Sequence, residues 1–284
     1  MQLNKILSYY MIFVIELLVF PAIVLSSSKV LVFTSIPPQK YFVEKIGGNF
    51  VDISVMIDSG ANPHNYEPKP KQMADLSKAK IYFSIGINFE EVWLPRFQSL
   101  NPKLKIVYTD DGIEKFKLND NHEGFDPHIW LSPPLVMLQA RNILSALIEE
   151  NPENKTIYEI NYKNFIIELL DIDSEIRGIF IGKNKTEFMT FHPAWIYFAK
   201  AYGLIEISVE MEGKEPKPNE LIKLIKHAKA HNIKIIFVQP QFSAKSAKTI
   251  SDSIGGQIVF IDPLSSNWYE NMKNAASKFK EALK

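Results

Sequence analysis

Four short stretches set a side chain able to bind a metal beside a proline: Pro63-His64, Pro127-His128, His192-Pro193 and Asp262-Pro263. Proline fixes its own φ and pushes the residue before it toward extended backbone. A ligand held in such a turn loses little freedom when a metal arrives. Three neutral imidazoles and one carboxylate make an N₃O set suited to four-coordinate zinc. Imidazole also accepts other first-row divalent ions, and the carboxylate admits manganese. Taken singly, each residue is weak evidence, because a loop histidine is more often a surface residue and an Asp-Pro pair more often a plain turn. Taken together they share a neighbour, and they divide evenly between the two halves of the chain. The reading is that His64, His128, His192 and Asp262 converge on one divalent ion.

The remaining polar candidates lack this setting. His122 sits in a polar segment ahead of His128 and is at most an accessory contact. His227 and His231 lie one helical turn apart and could pinch a metal. No glutamate of a His-Glu-x-x-His pattern accompanies them, so they read as solvated. Trp130 and Trp195 follow two of the candidate histidines, either walling the site or serving as ordinary core aromatics. Glu67 and Glu215 each precede a proline. They either orient a ligating imidazole or start a helix, whose positive end favours carboxylates.

The elements that must carry these residues alternate. Val30–Ser35, Val51–Ile57, Ile81–Ile85 and Lys105–Tyr108 read as strands, interleaved with helical patterns over Tyr41–Ile46, Lys71–Ala79, Phe89–Leu100 and Leu135–Glu149. The second half repeats the plan, with strands over Glu187–Phe191, Leu204–Glu210, Lys234–Val238 and Gln257–Ile261. Between the halves, Phe165, Leu169, Ile172, Ile176 and Phe180 recur at helical spacing behind the Asn151-Pro152 start signal. One helix over about Glu153–Phe180 would span roughly 40 Å, enough to tie two lobes together. The expected fold is therefore α/β: two lobes with mostly parallel sheets flanked by helices, joined by one long rigid helix. The expected divisions are 1–28 as a leader, 29–150 as the N-terminal lobe, 151–183 as the linking helix and 184–284 as the C-terminal lobe. At least three of the four candidate ligands fall just past a strand, where open α/β sheets bind ligands, and the natural place for the site is a cleft between the lobes.

Composition narrows the function. Lys+Arg and Asp+Glu are equal at 32 each, which gives no argument for nucleic acid or an anionic membrane surface. The chain has no cysteine, so disulfides, thiolate metal sites, cysteine nucleophiles and lipid attachment through an N-terminal cysteine are all excluded. Behind Lys5, the apolar run Ile6–Leu25 ends at Ser26-Ser27-Ser28 and reads as a secretory signal. Its length and the interrupting Glu16 keep an uncleaved anchor as the alternative. Either places the rest of the chain outside the cytoplasm. No P-loop glycine motif is present, so the chain is not an ATPase.

From Val30 onward the chain resembles the zinc- and manganese-specific solute-binding proteins of ABC importers. The resemblance rests on Pro63-His64-Asn65-Tyr66-Glu67-Pro68, Asp126-Pro127-His128-Ile129-Trp130-Leu131, Phe191-His192-Pro193-Ala194-Trp195 with Tyr202-Gly203-Leu204, Gln239-Pro240-Gln241-Phe242-Ser243 and Asp262-Pro263-Leu264. It implies a non-enzymatic protein, acting as a monomer in the periplasm or on the outer face of the cytoplasmic membrane. Such a protein captures a metal ion between its lobes and passes it to a membrane permease driven by a cytoplasmic ATPase. Carried over position by position, it makes His64, His128, His192 and Asp262 the ligands. Manganese-type members usually carry glutamate where this chain has His192, which tilts the cargo to Zn²⁺ over Mn²⁺ or ferrous iron. Many zinc-type members also carry a histidine-rich acidic loop before the second ligand, whereas here that region is short and holds only His122. Two rival readings remain, a zinc hydrolase using three histidines and a bound water, and a surface adhesin that binds metal incidentally.

Overall fold

A computed structural model describes residues 29–117, 124–183, 185–210, 216–242 and 245–283. The expected leader, His122 and Glu215 lie outside these residues. The first sheet consists of β1 (Val30–Thr34), β2 (Val51–Val55), β3 (Ile81–Ser84) and β4 (Lys105–Tyr108). All pairs are parallel, in the order β2-β1-β3-β4. The helices α1 (Pro37–Gly47), α2 (Pro70–Leu76), α3 (Asn88–Leu100) and α4 (Pro133–Glu150) complete this lobe. Pro37 and Pro38 open α1, four residues ahead of the helical pattern expected over Tyr41–Ile46. Proline suits the first helical turn, where the missing N–H has no intrahelical partner to lose.

The long helix α5 (Lys155–Ile179) has 25 residues and follows a 3₁₀ turn at Pro152–Asn154. Phe165, Leu169, Ile172 and Ile176 form its buried face, as their spacing predicts. The second sheet repeats the first, with β5 (Glu187–Thr190), β6 (Ile205–Ser208), β7 (Ile235–Val238) and β8 (Gln257–Phe260) in the order β6-β5-β7-β8, again all parallel. Its helices are α6 (Ile196–Ala201), α7 (Pro218–Ala230), α8 (Lys245–Ile254) and α9 (Trp268–Ala282). In each sheet the chain leaves the first strand to one side and then returns to the other. That reversal opens a crevice at the carboxyl ends of the strands.

The core is shared between the lobes. One buried cluster runs from Val32 and Phe42 of the first lobe through Phe165 and Leu169 of α5 to Phe188, Trp195, Phe237 and Phe279 of the second. The last helix, α9, carries much of this connection. Trp268 packs edge-on against Phe42 with ring centroids 5.2 Å apart, while Phe279 lies 4.5 Å from Phe188 and 4.6 Å from Phe237. A smaller cluster, including Met189, Phe191, Ile236 and Ile250, fills the other face of the second sheet. No helix among the described residues is long and apolar enough to cross a membrane.

Candidate metal centre

Strand register sets the site's geometry. β5 and β6 align Thr190 with Ser208, so two residues further on His192 stands beside Glu210. Their contact is direct: His192 Nδ1 lies 2.7 Å from Glu210 Oε2, and both residues are buried. A carboxylate accepts, so Nδ1 carries the hydrogen and Nε2 keeps its lone pair. β5 and β7 align Thr190 with Phe237, which brings Gln239 opposite His192. The Gln239 side chain accepts from His192 N and donates to His192 O, clamping that backbone on both sides. Phe242 stacks on the imidazole at 4.3 Å between centroids and 17° between planes. Glu206 accepts from Thr190 Oγ1 and from the Ala194 and Trp195 amides, tying down the turn that follows. Burial pushes its carboxyl up to about 7, against the pull of those hydrogen bonds.

His64 belongs to a 3₁₀ turn, Pro63–Asn65, where Asn62 Oδ1 accepts from the His64 amide at 2.9 Å. His128 follows a similar local device. Asp126 Oδ1 accepts from His128 N at 2.8 Å and lies 3.0 Å from its Nδ1. The same rule of a carboxylate acceptor leaves His128 Nε2 free to bind a metal.

The structure brings the three imidazoles together. His64 and His128 lie 5.3 Å and 5.5 Å from His192 between ring centroids, both edge to face. Two come from the first lobe and one from the second. Burial in the cleft is the main cause that holds His64 at about 4, far below the ordinary imidazole value, and mutual repulsion with His192 and His128 adds to it. The ring meets His192 and Phe242 on the cleft side, while the residue as a whole stays exposed to water. Burial likewise depresses His192, against the opposing pull of Glu210. A decline in metal affinity near the ordinary imidazole value, about 6.5, is thus not the expectation for these two rings. His64 stays neutral well below it, His192 is shifted in the same direction, and both hold their lone pairs ready at neutral pH.

Asp262 follows β8 by two residues. Its Oδ1 accepts from Gln241 Nε2 at 2.7 Å and from Leu264 N at 2.9 Å. Gln241 adjoins Phe242, the ring stacked on His192, which links this carboxylate segment to the cluster through one loop. Two indoles tie the ligand-bearing segments of the lobes to each other. Trp130 Nε1 donates to Pro263 O and Trp268 Nε1 to Trp130 O, each at 2.7 Å. Trp130 also lies 5.0 Å from the His128 ring, so it is both core and back wall of the site. Trp195, fully buried and 5.2 Å from Phe279, is core. Tyr197 of α6 adds a third tie by donating to Asp126 O at 2.7 Å. Glu67 is exposed and precedes α2 by three residues, consistent with the helix-start reading.

Sequence reasoning missed Glu210 and gave Asp126 no role. Asp126 carried a signal, since a carboxylate two residues before a histidine can reach both its amide and its ring. Glu210 carried none, because only the β5–β6 register makes it a neighbour of His192.

Comparisons with known proteins bear on the fold and the family. Residues 32–282 match the family model ZnuA, described as zinc-uptake complex component A, periplasmic. The chain is 31% identical over 252 residues to the high-affinity zinc uptake system protein ZnuA of Bacillus subtilis, covering 83% of this chain and 79% of that one. It is 30% identical over 262 residues to the iron ABC transporter substrate-binding lipoprotein MtsA of Streptococcus pyogenes, covering 84% of each. A crystal structure of ZnuA superposes with a TM-score of 0.87 at 40% identity, covering 90% of this chain and all of that one. With its doubled parallel sheets, its long joining helix and a match over nearly its whole length, the chain belongs to the ZnuA family, the periplasmic component A of zinc-uptake complexes.

Proposed function

We propose that this protein captures Zn²⁺ between its lobes with His64, His128, His192 and Asp262 as ligands, and delivers it to the membrane permease of an ABC importer. The observation that carries the reading is the convergence of three imidazoles from two lobes around His192. The carboxylates on Nδ1 of His128 and His192 add to it, since ligating imidazoles usually donate their other N–H to such a group. Asp262 completes a four-coordinate N₃O set. Four protein ligands leave no open position for substrate or activated water, which is a holding site rather than a catalytic one. The protein works as a monomer outside the cytoplasm, brought there by residues 1–28 as a cleaved signal or retained anchor. The divisions 29–150, 151–183 and 184–284 describe its first lobe, linking helix and second lobe.

The iron-transport relative favours a second cargo, ferrous iron or manganese, on the same ligands. Histidine at position 192 weighs against it, because three nitrogens suit zinc better than these harder ions. The test is metal competition. Residues 29–284 stripped of metal and offered equal zinc and manganese should retain zinc, with His192→Ala losing the tighter equivalent. Retention of manganese instead overturns the cargo, and no stoichiometric metal overturns the site.

A further inference from the structure

We propose that Glu187, His227 and His231 form a second, solvent-open zinc site on the edge of the second lobe remote from the cleft. His227 lies in the last turn of α7 and His231 is its C-terminal cap, so the two rings share one face of the helix. They stack with centroids 4.0 Å apart. Glu187, the first residue of β5, reaches both rings: its Oε2 lies 2.7 Å from His227 Nε2 and 3.8 Å from His231 Nδ1. One ligand atom from each residue falls within 4.8 Å of the others. It is the only such group of three among the described residues.

The spacing suits a tetrahedral ion. Zinc bound at about 2.0–2.1 Å with tetrahedral angles separates its ligands by roughly 3.3 Å. The two observed separations bracket that value, so side-chain rotation alone can admit the metal. His231 Nδ1 also lies 3.0 Å from His227 O. Turning Nδ1 to the metal gives up that bond, and the ring's hydrogen then sits on Nε2. The carboxyl end of α7 carries the negative pole of the helix and favours a cation there. The three side chains remain 21% to 48% exposed, so water can fill the fourth position.

The site is independent of the cleft. Glu187 starts β5 and His192 follows its end, five residues and about 16 Å further along an extended chain. With three protein ligands and a water, the edge site binds zinc more weakly than a closed four-ligand site. The competing explanation is a plain carboxylate–imidazole pair that only pins α7 to β5.

Zinc equivalents counted by mass spectrometry after equilibrium dialysis against buffered free zinc separate the two. The samples are the metal-stripped protein, His192→Ala, the double variant His227→Ala/His231→Ala, and Glu187→Gln, which keeps the shape of that side chain if the double variant folds poorly. Two equivalents in the parent are expected, falling to one in His192→Ala through loss of the tighter site. In the edge variants the weaker equivalent disappears and the tighter one stays. One equivalent in the parent, lost in His192→Ala and kept in the edge variants, overturns the proposal. So do two equivalents that survive every edge substitution. A single equivalent lost only in the edge variants upholds the edge site and overturns the cleft ligands instead.

Discussion

Glu210 offers the sharpest test of how the cleft imidazoles are prepared. It touches no metal in the proposed site, yet its contact with His192 Nδ1 at 2.7 Å fixes both the tautomer and the ring plane. Both partners are buried, so the imidazole has no bulk water beside Nδ1 in the intact protein. A hydrogen bond to a charged group is worth about 1.5–3 kcal/mol. The bond tightens when the imidazole shares a metal's charge, so most of that difference reaches the bound state. At about 1.36 kcal/mol per decade, Glu210→Ala should weaken zinc binding roughly 10- to 100-fold. Glu210→Gln can still accept from Nδ1 through its amide oxygen and should fall at the mild end of that range. The assay is competition with a chromophoric zinc chelator at pH 7.5, with a thermal melt of each metal-free variant to exclude unfolding. A folded Glu210→Ala protein that binds its tighter zinc within twofold of the parent would refute the tautomer argument, provided His192→Ala abolishes that tighter binding.

Several other outcomes are fixed by the same geometry. In the metal-free protein, proton NMR should place the His64 midpoint near 4, and a midpoint at 6.5 would contradict its burial among the other rings. Because the folded value is depressed, stability contributed there is present above about 6.5 and is lost as pH falls toward 4. The same depression spares zinc binding about a 20-fold loss between pH 7 and 5 that an ordinary imidazole would impose, which dialysis at the two pH values can read. Phe279→Ala should cost about 3–5 kcal/mol in urea unfolding, because a fully buried ring packed on Phe188, Phe198 and Phe237 leaves a cavity. A loss under 1 kcal/mol would mean the shared core is looser than its packing. Trp130→Phe keeps the apolar wall but leaves Pro263 O without its donor. It should cost about 1–3 kcal/mol of stability and weaken zinc binding, read by the same melt and chelator assays.

Much of this architecture was legible from periodicity alone, and the reasons differ by element. The strands are short apolar runs bounded by Gly, Pro and Asn, and their ends fell within a few residues of expectation. The buried face of α5 was readable because Phe165, Leu169, Ile172 and Ile176 keep helical spacing without interruption. The start of α1 was missed because Pro37-Pro38 is equally a strand stop and a helix start. Only tertiary packing decides between those. Three imidazoles could be grouped because their proline neighbours mark loops at the strand ends. Their carboxylate partners could not, since the Glu210 contact depends on a parallel register between strands whose pairing no local pattern states. Glu187 is the clearest case. In the chain it stands 40 residues from His227, and nothing near it suggests a ligand until β5 lies against α7.

The continuity of the core constrains how a metal can leave the cleft. A wide swing of the lobes would have to part α9 from α1, where Trp268 meets Phe42, and break the bonds from Trp268 to Trp130 and from Trp130 to Pro263. It would also expose part of a cluster that runs through α5 without a gap. The proposed ligands are held differently. His64 sits on an exposed single turn capped by the Asn62 side chain, and Asp262 is held by Gln241 and its own turn. His192, by contrast, is clamped by Gln239, Glu210 and Phe242. Displacing the His64 turn costs few contacts and no core, whereas moving His192 disturbs the second sheet. With the proposed ligands, release would begin with the first lobe's loop letting go while His192 keeps the ion, the joint between the lobes holding its shape.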